Sequence, residues 1–237
     1  MEKVKELAGT FIADDLVSVE LQDGGTFTVQ KALLSGASEY FHKALDGRFL
    51  ESHNRTLHLP GCSTASFELI LYWLVNLRLP DFSDELEEQC DVIHSYEESV
   101  GPEARATAVD MVNLWICCDM LLMPALQNES ARRLIDILCV FSSAPEATRI
   151  AFAETAPESI LRRLLVACFM QTALPWGGVL QEDHGEFKEM GGIPGFLAAL
   201  VKALSSCPVK GCSVAICKEQ DHREPNGEDF MVPEKNA

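Results

Sequence analysis

Positive charge is scarce in this chain: 19 Lys and Arg stand against 36 Asp and Glu, a formal net charge of −17 over 237 residues. Affinity for nucleic acid comes mostly from neutralising phosphates with Lys and Arg, so no nucleic-acid partner is expected, and anionic membrane surfaces are disfavoured for the same reason. Long apolar runs are missing too. No stretch approaches the roughly 18 uninterrupted apolar residues that a membrane span needs. The opening segment "MEKVKELAGTFIADD" mixes acids with lysines and has no signal-peptide core. A membrane-bound or secreted protein is therefore not expected.

Motifs of catalysis are also lacking. The six histidines, at 42, 53, 58, 94, 184 and 222, fall in no nucleophile, zincin or phosphate-binding pattern. "DGGTF" is a turn without G-x-G-x-x-G, and "GGIPG" at Gly191 to Gly195 has neither the lysine nor the strand of a phosphate loop. An enzyme is not expected. Nine cysteines are an odd number, with no tight C-x-x-C pair, and most sit in apolar segments such as "LWICCDML" and "LLVACFM". That usage suits reduced thiols in the cytoplasm or nucleus rather than a disulfide scaffold. The vicinal Cys117 and Cys118 read as small core hydrophobes rather than a redox pair.

What the chain does have is a core. Hydrophobic residues make up 47% of it, and a chain of this length buries roughly 70% of its unfolded surface. "DLVSVELQDGGTFTV" alternates apolar residues around Asp23-Gly24-Gly25, the pattern of a β-hairpin with a tight glycine turn. "QKALLSGASEYFHKAL" follows with helical spacing interrupted at Gly36, predicting two short helices, the second starting near Ser38. "RTLHLPG" reads as a third strand, and "STASFELILYWLVNLRLP" as an apolar helix capped by Ser63 or Thr64 and ended by Pro80.

From 81 to 103 the composition changes to nine Asp or Glu with no Lys or Arg, a self-repelling block that reads as a solvated loop. Helical periodicity resumes in "TAVDMVNLWICCDML" and, after Pro124, in "PALQNESARRLIDILCVF". "PEATRIAFAET" and "PESILRRLLVACFMQTAL" each begin with Pro-Glu, which suits a helix first turn, and predict a helical hairpin. A glycine-rich break leads to a last helix, "FLAALVKAL", and from Ser205 the chain turns polar and is expected to be loose. There is no internal repeat of solenoid period.

This order of elements, with five quoted segments in sequence, resembles a BTB/POZ domain of the compact type common among fungal BTB proteins. The segments are "DLVSVEL" with Asp15 at its entrance, "FTVQKALLSGASEYFHKAL" against the family's F-x-V-H-K-x-L-L-x-x-x-S-x-Y-F, and "GRFLES" against G-x-F-x-E-S. "TLHLPGCSTASFELILYWLV" matches the third strand and its helix, and "LWICCDMLLMPALQNESARRL" the L-A-D-K-L-x-M-P-x-L-Q-N helix pair. Departures are Gln30 in place of the usual His, the Cys117-Cys118 pair, and the long acidic insertion.

The resemblance implies an α+β fold, a small β-sheet flanked by a cluster of α-helices. It divides the chain into a BTB/POZ domain over 10–140 with the acidic insertion 81–103, a helical extension over 141–204, and a flexible cysteine-containing tail over 205–237. Phe27, Leu33, Leu34, Tyr40 and Phe41 would fill its core. Asp15, Leu16 and Lys31 would lie at a dimer or partner interface, with Asp15 and Lys31 either paired there or simply solvated. The implied function is non-catalytic protein–protein interaction: self-association as a homodimer, and service as a substrate adaptor on a cullin-3 ubiquitin ligase. In that case the helices from Pro145 to Leu174 would extend the cullin contact. The alternative is a scaffold or transcriptional co-regulator without cullin.

No cofactor is implied, although the tail carries the residue types of a zinc site. Cys207, Cys212, Cys217 and His222 are four soft ligands at intervals of five. Steps of five rotate by about 140° on a helix and alternate faces on a strand, so no regular element converges all four. Free thiols are the default for this segment, with zinc binding as the alternative.

Overall fold

The computed structural model describes residues 15–46, 50–81, 102–140, 144–173, 185–205 and 230–234. The chain divides into two compact units: Met1–Pro80 with Cys117–Leu126, and Asp81–Ile116 with Gln127–Ala237.

The first unit is built on a three-stranded sheet. Strand β1 (Leu16–Leu21) pairs antiparallel with β2 (Thr26–Gln30) and parallel with β3 (Thr56–Leu59). Along β1, Val17, Val19 and Leu21 are buried while Glu20 is exposed, so the period-two pattern in the sequence selects the face that packs inward. Parallel pairing of β1 with β3 requires a long connection. Here it contains β2 and three short helices, α1 (Lys31–Ala37), α2 (Glu39–Leu45) and α3 (Leu50–Asn54).

The break between α1 and α2 falls at Ser38 rather than at Gly36, which lies inside α1. Ser38 is extended (φ −156°, ψ 158°) and its hydroxyl accepts the Phe41 N–H at 3.2 Å, a cap that a glycine without a side chain has no means to supply.

The hairpin turn is tied to the helix that follows β3, α4 (Thr64–Asn76). Asp23 Oδ2 accepts the Thr64 N–H at 2.8 Å, and Asp23 Oδ1 accepts the Thr64 hydroxyl at 2.8 Å and the Gly25 N–H at 3.3 Å. These bonds, the Thr64 amide first, hold the Asp23 carboxyl below its ordinary pKa, as does any carboxylate met by the free amides of a helix start. A Cβ on Gly25 would lie 2.1 Å from Thr64 Oγ1, so this junction admits only glycine as built. Ser63 caps α4 through the Ser66 N–H. The helix ends at Asn76, short of the Pro80 stop expected, because Leu77 turns into a left-handed conformation.

Two longer helices have their facing ends in this unit: α5 (Pro102–Met120) and α6 (Pro124–Val140). Helix α5 starts at Pro102, within the last residues of the acidic insertion; positions 82–101 of that insertion lie outside the described residues.

In the second unit α7 (Pro145–Glu154), α8 (Ile160–Ala173), α9 (Gly185–Gly191) and α10 (Phe196–Ser205) pack together. Phe152, Val166, Phe169, Met190, Ile193, Phe196 and Leu200 form the core. Phe196 lies edge-on to both Phe152 and Phe169, with ring centroids 5.6 and 5.2 Å apart, the T-shaped arrangement favoured by aromatic quadrupoles.

Pro145 opens α7 as expected, whereas Pro157-Glu158 stands in the turn before α8 and Ser159 immediately precedes that helix, its Oγ accepting the Leu161 N–H. Arg162 joins the two helices. It donates from Nη2 to the Phe152 carbonyl at 2.7 Å and to the Thr155 carbonyl, and from Nε to Thr155 Oγ1 at 3.1 Å, with its guanidinium 4.9 Å from the Phe152 ring centroid. A cation thus occupies the negative C-terminal end of α7 and stacks on its last aromatic residue.

Candidate interaction surface

The charged residues singled out at the start of β1 and α1 meet. Lys31 Nζ lies 3.8 Å from Asp15 Oδ2, and Arg55 Nη2 lies nearer, 3.2 Å from Asp15 Oδ1. The backbone draws the first pair together, since the Lys31 N–H donates to the Asp15 carbonyl at 2.9 Å. All three side chains are partly exposed, so these pairs orient the surface more than they stabilise it. Leu16 beside them is 45% exposed. Asp15, Lys31, Ser35, His42 and Asp46 border a cleft of about 360 Å³.

Among the residues assigned to the core, Leu34 and Phe41 are fully buried, and Phe27, Leu33 and Tyr40 are half-buried. Phe27 packs on Phe67 with centroids 5.2 Å apart, and Tyr40 meets Phe41 edge-on at 5.5 Å. Burial, with the charge of Glu51 behind it, pushes the Tyr40 hydroxyl pKa up.

Cys117 and Cys118 are fully buried, as is Cys62. The hydrogen bond between Cys117 and Cys62, then burial, raises the Cys117 pKa, and burial raises that of Cys118. A thiol that stays protonated is a poor nucleophile, so this cluster behaves as core. Among the described residues no group of three or more His, Cys, Asp or Glu is placed to hold a metal. Cys207, Cys212, Cys217 and His222 lie outside the described residues.

Two residues that the sequence did not point to stand out on the surface. Leu77 and Leu122 have φ of 55° and 56°, and they are 77% and 53% exposed. At the end of α5 the Met123 N–H donates to the Cys118 carbonyl and the Leu122 N–H to the Asp119 carbonyl. This is the Schellman arrangement, in which the left-handed position is ordinarily glycine. Leucine there carries both a backbone cost and an apolar side chain in water. Val75, 72% exposed, and Tyr72 add to the apolar surface of α4. Met120 lies over Gly61, where a Cβ would come within 2.9 Å of its sulfur.

A small mixed sheet accompanied by helices defines an α+β domain. A family model of the BTB/POZ domain matches residues 10–100. The chain therefore carries a BTB/POZ domain, a protein-interaction module, and the α+β BTB/POZ fold expected from the motifs is the fold found. No curated protein matches the chain. Among the described residues no helix is long and apolar enough to cross a membrane.

Proposed function

We propose that this protein is a non-catalytic interaction module that self-associates and docks, as a substrate adaptor, on a cullin-3 ubiquitin ligase in the cytoplasm or nucleus. The observation that carries this reading is the pair of exposed, left-handed leucines, Leu77 and Leu122. Stability alone favours glycine at both positions. Residues held in such conformations gather at contact and switch sites, where their cost is offset by what they bind. Self-association through Asp15, Leu16 and Lys31, and extension of the cullin contact by α7 and α8, follow from the resemblance. The reading includes no cofactor; metal analysis by mass spectrometry of protein purified without chelator tests the tail cysteines separately.

The deciding experiment is calorimetric titration of the 237-residue chain with the N-terminal region of cullin-3 from the same organism. Binding in the micromolar range or tighter is expected, weakened about tenfold or more in Leu77→Gly or Leu122→Gly, as for a residue at the centre of an interface. The glycine variants are expected to keep their fold, which circular dichroism checks, so lost binding reports lost contact. If the folded wild-type protein does not bind, the scaffold or co-regulator reading replaces this one. Light scattering of the same sample measures self-association independently.

A further inference from the structure

Asn128, on α6 in the second unit, is a polar side chain in a buried position, and its amide is spent on a distant peptide segment. Its Oδ1 accepts the Val232 N–H at 2.7 Å. Its Nδ2 donates to the Val232 carbonyl at 3.0 Å and to Glu234 Oε1 at 2.8 Å. One amide thereby takes both backbone groups of a single residue, much as a neighbouring strand would. Two positions earlier, Phe230 is buried, with the Arg163 guanidinium of α8 lying 5.9 Å from its ring centroid. The segment between them and just beyond, Met231 to Glu234, has no regular secondary structure, and Pro233 has no N–H that needs a partner.

These are the parts of a linear-peptide receptor. Main-chain hydrogen bonds hold a segment irrespective of its side chains, a buried aromatic anchor adds affinity, and an acid contact sets polarity and register. We infer that the surface formed by Asn128 and Arg163 is a receptor for extended peptide segments. Its ligand class is an aromatic residue, a free peptide unit two positions on and a carboxylate two positions further. The chain's own Phe230–Glu234 occupies it in cis, and a partner protein's segment of the same chemistry exchanges with it. This site belongs to the second unit and is independent of the cullin-3 reading. Tethering gives the resident segment an effective concentration on the order of millimolar, so a free segment binds measurably only when the resident one is weakened.

The test uses the full chain carrying Phe230→Ala and, as probe, a fluorescent peptide with the sequence of residues 227–236. Fluorescence anisotropy is expected to show saturable binding to this variant, at least about tenfold tighter than to the wild-type chain. N-methylation of the valine in the probe removes the donor to Asn128 Oδ1 and is expected to abolish binding without altering the protein. If Phe230→Ala loses its helical circular dichroism, Val232→Pro serves instead, since it removes the same donor from the resident segment and leaves Phe230 in place. Three results each overturn the inference: no saturable binding to a folded variant, equal binding of the N-methylated probe, or equal binding to wild-type and variant chains.

Discussion

The two units of this molecule are held by different kinds of contact. In the first, the helices α2 and α4 start on local caps, Ser38 on Phe41 and Ser63 on Ser66, beside one longer tie, Asp23 to Thr64, between the hairpin and α4. In the second, single side chains bridge separate elements: Arg162 joins α8 to the end of α7, and Asn128 holds Val232 and Glu234 from more than a hundred residues away. A cap is specified by a few neighbouring residues and forms with its helix. A bridge forms only once both elements are in place, so the Arg162, Asn128 and Asp23 contacts depend on assembly more than the serine caps do.

The largest effects should come from the two cores and test whether either is redundant. Phe41→Ala in the first unit and Phe196→Ala in the second each remove a fully buried ring, with an expected loss of about 3–5 kcal/mol in denaturant unfolding. If Phe196→Ala cost much less, the four-helix core of the second unit would be shown to collapse around the gap. Next comes Arg162→Ala, which strips the end of α7 of its charged donor. An expected cost of about 1.5–3 kcal/mol follows from hydrogen bonds to a charged group. Hydrogen exchange should show faster opening of α7 than of β1.

A smaller change, and of opposite sign, is expected at the helix end of the first unit. Leu122→Gly relieves a left-handed leucine while freeing the unfolded chain, and the net effect is within about 1 kcal/mol of wild type on the stabilising side. Denaturant midpoints measure it. A marked destabilisation would mean that the Leu122 side chain supports the fold rather than facing a partner.

The mildest effect concerns acid. The Asp23 carboxyl is held below its ordinary value in the folded state, so its tie to α4 contributes fully above the unfolded-state pKa. The contribution fades as pH falls through the lower, folded-state pKa. Asp23→Asn should lower the thermal midpoint slightly at about pH 5, and the difference from wild type should shrink at about pH 3. A difference that stayed constant with pH would show that geometry, not charge, makes this junction.

Much of the first unit was legible because its signals are local. The alternation in "LVSVEL", the glycine turn and the Ser caps each imply one conformation for a handful of residues, and the order of those pieces sufficed to resemble the BTB/POZ domain. Short helices were harder. Helices α3 and α9 carry too few turns to display a period, and α9 sits among glycines that read as a break. Leu77 and Leu122 were invisible for another reason: nothing in the sequence marks a leucine as left-handed, and both follow apolar helices in which a further apolar residue looks ordinary.

The tail makes the contrast plainest. From Ser205 onward the polar composition predicts a loose chain, yet Phe230 is buried and Val232 is held at both of its backbone groups. Composition averages over a segment, whereas docking needs only one anchor and one matching amide.

By itself the sequence determined the class of fold, the inward face of its first strand, and the anionic character of the chain. Those follow from periodicity, capping and charge, which act within a few residues or over the whole chain. Tertiary structure alone decided that β3 joins the sheet parallel to β1, that two leucines face solvent, and that Asn128 meets Val232. Each of these depends on which distant groups arrive together, and the energy of such a meeting belongs to the pair and not to either residue's neighbours in the chain.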